Sequence, residues 1–249
     1  MLLKVLWNIL KKHLLKTMTN LLILQCVAHL LADFTFQPQE WCDKKERKLV
    51  SRKLVYHVLI VLALSWILSF HVSFWWASLL IAGFHFGLDI LKNTLYKQNI
   101  GRQYLFFIDQ IFHFIILVSV VYLFSEKTNV DFPTRLTTNA AFMVLALIAC
   151  TKPSNIFIKK FMESKGIIHK SKNENDLLKA GRLIGTLERL ISFVLILFDQ
   201  FTAVGFIIAA KSILRFRDTQ TAKTEYLLIG TLLSFGIAIV LGIMCNQIK

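Results

Sequence analysis

Acid is scarce in this chain, and so are the devices that hold small secreted or metal-knuckle domains together. Fifteen Asp and Glu face 29 Lys and Arg, prolines number only three, and the four cysteines, Cys26, Cys42, Cys150 and Cys245, form no CxxC pair. Neither a disulfide framework nor a zinc knuckle is supported by that spacing, and two of the cysteines lie within apolar runs. Long polar stretches are also missing, so no large soluble domain fits. A balance of +14 in a soluble protein would suggest nucleic acid. Here the charges fall mainly between apolar runs, where they orient helices and attract anionic headgroups, so membrane lipids and not nucleic acid are the expected partners.

What is present is hydrocarbon. Hydrophobic residues make up 55% of the 249, 21 of them Phe, and the mean hydropathy is positive. A transmembrane helix needs about 20 predominantly apolar residues. Apolar stretches of that kind stand at 20–37, 54–70, 73–91, 104–124, 136–151, 183–198, 201–214 and 226–245. The sequence therefore predicts an all-α, polytopic helical membrane bundle of about eight transmembrane helices. The second and third spans, joined around His71, form a hairpin, and Pro38 and Pro153 sit just past spans one and five, where a helix can end. The seventh span is short.

Residues 1–19 combine Leu and Trp with Lys4, Lys11, Lys12 and Lys16, and no small-residue cleavage site precedes Asn20. They read as an interfacial amphipathic segment and not a signal peptide. The remainder divides into a five-helix membrane half (20–151), a basic linker (152–182) and a three-helix membrane half (183–249). In this topology 22 basic residues collect on one side and seven on the other. The positive-inside rule makes the first side cytoplasmic, although the four N-terminal lysines oppose it.

Polar residues inside the spans are few and patterned. Gln25, His29, Asp33 and Gln37 recur every four residues and so form one stripe on one helix face. His85, Asp89 and Asn93 repeat the spacing in span three, and Asp109 with His113 repeats it in span four beside Gln110. His57 opens span two. Antiparallel topology brings all seven of these His and Asp residues to the cytoplasmic side, whereas His13, His71 and His169 fall in connections. An ionisable residue near a span centre costs about 2.5–3.5 kcal/mol on insertion scales, so a cluster needs compensation. Mutual hydrogen bonding is one form of it. Metal binding is another, and imidazole with carboxylate on facing helices suits zinc, iron or manganese.

The reading that follows is a metal-dependent hydrolase acting on a lipid or phosphorylated lipid. His29, Asp33, His57, His85, Asp89 and His113 are its metal ligands, and Asp109 is a ligand or general base. A second polar concentration, containing Arg182, Glu188, Arg189, Lys211, Arg215 and Glu225, supplies Arg189, Lys211 and Arg215 as candidates for an anionic headgroup. Gly181, Gly185, Gly205 and Gly230 are expected to allow close helix approach there. Alternatives from other classes are a metal-ion or proton transporter, and a non-catalytic scaffold or sensor with its basic loops docking a cytoplasmic partner.

The runs AHLLADFTFQPQEW at 28–41, Lys53 with His57, HFGLDILK at 85–92 and DQIFH at 109–113 resemble the family catalogued as domain of unknown function 3307. The likeness covers about 20–125. GRLIGTLERL, GFIIAAKSILRF and EYLLIGTLLS resemble the extension of its longer members. The resemblance implies a polytopic bacterial protein, multi-pass in the inner (cytoplasmic) membrane, and retains all seven His and Asp residues. It implies no substrate.

Overall fold

The computed structural model describes residues 17–38, 51–97, 104–128, 136–166, 176–215 and 221–248. Most of the interfacial segment expected at 1–19, Cys42, His13, His169 and much of the basic loops lie outside these residues. The described residues are helical, with no strand. The helices are α1 (Thr17–Thr35), α2 (Arg52–Ser69), α3 (Trp75–Lys97), α4 (Leu105–Lys127), α5 (Thr138–Ala149), α6 (Lys152–Ser164), α7 (Asp176–Leu197), α8 (Phe201–Arg215) and α9 (Thr221–Ile248). The chain divides into two compact units, Met1–Leu145 and Ala146–Lys249.

In the first unit, the outside is oily and the inside partly polar, the arrangement expected of membrane helices. Leu59, Ile67, Phe84, Ile111, Phe114 and Ile115 are exposed, while Gln25, His57, His85, Asp89, Asn93, Asp109 and His113 are buried. Ser51 caps α2, its hydroxyl accepting from the Leu54 amide at 3.2 Å. The expected hairpin at His71 is present. Phe70 takes a left-handed conformation (φ 56°) that ends α2, and a 3₁₀ turn at Val72–Phe74 leads into α3. The turn is fastened by the Ser69 hydroxyl on the Trp66 carbonyl (2.6 Å) and by fully buried Phe74 set edge-on to Phe124 (4.8 Å). Leu21, Val61, Ile81, Leu117 and Val121 fill the core between α1 and α4.

The expected break at Pro153 is a bend and not an exit into a linker. α5 and α6 meet at 51°, so residues 152–164 of the predicted linker are helix, with Pro153, Ser154 and Met162 buried. Pro occupies the first turn of α6, where its missing N–H costs nothing. Close approach of α7 and α9 occurs at Gly242, where a Cβ would stand 2.5 Å from Ile196 Cγ2. Gly181 and Gly205 have nothing within 4 Å, Gly230 makes only an ordinary contact, and the Gly185 carbonyl accepts from Ser234 of α9 at 3.4 Å.

Among the described residues, five helical stretches are long and apolar enough to cross a membrane: Thr17–Thr35, Arg52–Ser69, Val72–Tyr96, Leu105–Lys127 and Leu228–Ile248. The bent α5–α6 pair makes a sixth if it counts as one span. The expected spans six and seven fall short of that standard. α7 carries Lys179, Arg182, Glu188 and Arg189, and α8 has only 15 residues.

Candidate metal centre

Each of α1 to α4 brings one polar stripe to the same end of the first unit. α1 closes in a π turn, Leu31–Thr35, in which the Phe36 amide reaches the Leu31 carbonyl at 2.8 Å. Asp33 lies inside that turn; such widened turns recur at functional sites. His57 comes from the first two turns of α2, His85 and Asp89 from the second half of α3, and Asp109 and His113 from the first half of α4.

The centre of the cluster is a triangle of ligand atoms. His57 Nε2 and His85 Nε2 stand 2.9 Å apart, and Asp33 Oδ1 lies 3.3 Å from the first and 3.5 Å from the second. Tetrahedral zinc, with ligands at about 2.0–2.1 Å, separates its ligand atoms by about 3.3 Å, so these three edges approximate one face of such a site. Asp89 Oδ2 is 3.9 Å from both imidazole nitrogens, and His29 Nδ1 is 3.9 Å from Asp33 Oδ1. Two sets of donor atoms therefore lie close enough to share an ion, His29 with Asp33 and His85, and His57 with His85 and Asp89. Asp33 Oδ1 is buried without an aligned hydrogen bond. A single proton between His57 and His85 satisfies one edge of the triangle. A cation satisfies all three.

Asp109 and His113 stand apart from the triangle. The Asp109 carboxylate accepts from Lys92 Nζ at 2.8 Å and from Gln110 Nε2 at 3.2 Å. Lys92 also lies 3.4 Å from Asp89 Oδ1. The sequence reading passed over Lys92, although it continues the His85–Asp89 stripe one turn further. A basic residue just past an apolar run also reads as an ordinary topological anchor, which hid it. His113 donates from Nδ1 to the Asp109 carbonyl at 2.8 Å, which leaves Nε2 as the bare nitrogen of the neutral ring. That Nε2 is buried and makes no hydrogen bond, and its ring centroid is 4.2 Å from that of His85. His29 stacks on it at 5.1 Å and turns its own Nε2 toward Gln110 Oε1 at 3.3 Å.

Among the described residues, Asp33, Asp89 and Asp109 lie around the Lys92 ammonium, with Asp89 and Asp109 only 4% and 6% exposed. Such an acidic setting would suit a divalent ion.

Residues 21–143 match the family described as "Protein of unknown function (DUF3307)". They form a DUF3307 domain. The match takes in all seven His and Asp residues together with Gln25, Lys92 and Gln110. No curated protein and no solved structure matches the chain.

Beside the histidines the DUF3307 domain holds a cavity with room for about one water molecule, lined by Gln25, His29, Ser65, His85 and His113 and by apolar residues including Ile116. At its far end Gln25 and Ser65 bond to each other twice. The Gln25 amide donates to the Ser65 carbonyl at 3.0 Å, and the Ser65 hydroxyl donates to Gln25 Oε1 at 2.7 Å, with Ser78 at 3.3 Å.

Two of the three headgroup candidates are engaged by their own unit. Arg189 is 1% exposed and turns onto its own unit. It donates to the carbonyls of Cys150 (2.8 Å) and Thr151 (3.4 Å), to Ser234 (2.9 Å), to Thr186 (3.1 Å) and to Asn155. Those carbonyls belong to the α5–α6 break, so Arg189 supplies the donors that the interrupted helix lacks. Lys211 pairs with Glu188 and lies 5.8 Å above the Phe235 ring. The Arg215 side chain lies outside the described set. Of the three headgroup candidates, Arg189 and Lys211 are thus already engaged within the unit.

Proposed function

We propose that the DUF3307 domain binds one divalent transition-metal ion among Asp33, His57 and His85, with Asp89 and His29 within reach, as the centre of a membrane hydrolase. Zinc, iron or manganese suits the donor set. The observation that carries this reading is the triangle of 2.9, 3.3 and 3.5 Å edges around one carboxylate oxygen. An ion held there would act as a Lewis acid and lower the pKa of a coordinated water toward neutrality. His113 replaces Asp109 as the candidate base. Its Nδ1 proton is fixed on a backbone carbonyl, its Nε2 is bare and its residue lines the water-sized cavity, whereas the Asp109 carboxylate is held by Lys92 and Gln110.

The substrate class is a lipid or a phosphorylated lipid, because the centre sits within helices whose outer faces are apolar and at the end where the chain's basic residues concentrate. That end is cytoplasmic by the positive-inside rule. The test is metal analysis of purified protein together with hydrolysis of phosphatidic acid and neutral diacylglycerol in mixed micelles. One equivalent of metal and a turnover lost in His113→Gln support the reading. Absence of metal from protein purified without chelator, after supplementation with zinc, iron and manganese, sinks it.

A second reading, an ion pathway, draws on one specific observation. Polar contact continues beyond the histidines through Gln25, Ser65 and Ser78, into the part of the spans that is otherwise apolar. Flux of zinc, manganese or protons in liposomes, abolished by Gln25→Leu with metal content unchanged, would favour transport over hydrolysis.

A further inference from the structure

α5 contains no charged side chain, whereas 152–165 carries Lys152, Lys159, Lys160 and Lys165 against a single acid, Glu163. The change occurs at the 51° bend that Arg189 holds. At 1.5 Å per residue α5 is about 18 Å long and α6 about 20 Å. Inclined at 51°, α6 adds about 12 Å along the α5 axis, which brings the pair to about 30 Å, the thickness of a bilayer core. With α5 along the bilayer normal, the second half of α6 would reach the headgroup layer at a slant, with its side chains spread along that layer.

The faces of α6 agree with this placement. Ser154 and Met162 are buried within the unit, and Met162 Sδ lies 3.9 Å from where a Gly230 Cβ would be. On the flank Phe157, 40% exposed, stacks on Phe161 at 6.3 Å. Lys165 Nζ stands 6.0 Å above the Phe161 ring, and Lys160 bonds to Glu163 at 3.0 Å. Lys159 is exposed one position beyond the buried side. Lysines drawn past apolar surface to the headgroup layer, beside aromatics at the same level, form the pattern of an interfacial helix.

We propose that the second half of α6 is a binding site for anionic phospholipid. Lys159, Lys160 and Lys165 attract the headgroup phosphate, and Phe157 and Phe161 lie against the upper acyl chain. The occupant is a lipid and not free phosphate, because the cations adjoin exposed aromatic surface that an inorganic anion would leave unused. The proposal concerns the second unit and is independent of the metal reading.

The experiment uses the full chain in detergent, with bound phosphatidylglycerol and phosphatidylcholine counted by native mass spectrometry. Near a membrane surface each basic residue contributes about fivefold in affinity, and Lys160 is already held by Glu163, so K159Q/K160Q/K165Q should weaken phosphatidylglycerol binding about 25-fold and leave phosphatidylcholine unchanged. Equal retention by wild type and variant overturns the proposal, as does displacement of the lipid by millimolar inorganic phosphate. Phe157→Trp in bilayers gives an independent check that does not depend on the triple variant folding. Quenching by bromines near the acyl-chain head supports the placement, and quenching only by bromines near the bilayer centre refutes it.

Discussion

Asp33→Asn tests the metal reading most sharply, because the charge argument predicts opposite effects with and without the ion. Asp33 Oδ1 is the corner shared by His57 and His85, and the substitution keeps its shape while removing one charge. In the metal-free protein Asp33, Asp89 and Asp109 are gathered at one end of these helices. The variant removes one of those like charges and should melt higher than metal-free wild type. With metal the order should reverse. At a free ion concentration of 100 times the dissociation constant, binding stabilises the wild type by about 2.7 kcal/mol. A hundredfold weaker site gains only about 0.4 kcal/mol under the same conditions. At about 2–4 °C per kcal/mol, chelator should lower the wild-type midpoint by roughly 5–11 °C and the variant's by less than about 2 °C. The assay is a thermal melt in detergent, with and without chelator, beside metal quantification. A wild type indifferent to metal and chelator, or a metal-free variant that melts below metal-free wild type, would refute the reasoning.

Lys92→Met leaves Asp89 and Asp109 without their cation. It should destabilise the metal-free protein by about 2–4 kcal/mol, less than a fully buried pair because a quarter of the side chain is exposed; added metal should restore more of the loss than it adds to wild type, as read by the same melts. Arg189→Met strands the Cys150 carbonyl, at about 1–3 kcal/mol, while the Thr151 carbonyl keeps the Asn155 amide. Maleimide labelling of Cys150, which has no exposed surface, should rise at least severalfold, and an unlabelled Cys150 with an unchanged melt would contradict the role given to Arg189. Gly242→Ala should cost about 1–3 kcal/mol by overpacking against Ile196, recover in part with Ile196→Ala, and contrast with a near-neutral Gly236→Ala, where a Cβ meets nothing within 4 Å.

Much of the first unit was legible because helical periodicity acts at short range. A spacing of four places two side chains on one face whatever the surroundings, and antiparallel hairpins fix which ends meet. Those two rules led from His29, Asp33, His57, His85 and Asp89 in the sequence to ligand atoms within 4 Å of their neighbours. They did not separate His113 from the triangle, since the same spacing serves a ring hydrogen-bonded to its own helix. The second unit was harder to read. Basic residues after an apolar run look alike whether they anchor a span, pair with an acid or fill a helix break, and only the surrounding chain distinguishes Arg189 from Lys159.

The sequence by itself determined the solvent, the class of fold and the membership of the polar cluster, because hydropathy, charge and helical period are properties of neighbouring residues. Tertiary structure decided what each member does. It turned Arg189 inward, gave Asp109 to Lys92, left His113 Nε2 without a hydrogen bond, and set one Asp33 oxygen and the His57 and His85 nitrogens, from three helices, at the corners of one triangle. Those outcomes depend on where side chains of distant residues end, to within about an ångström, and no spacing along the chain encodes that.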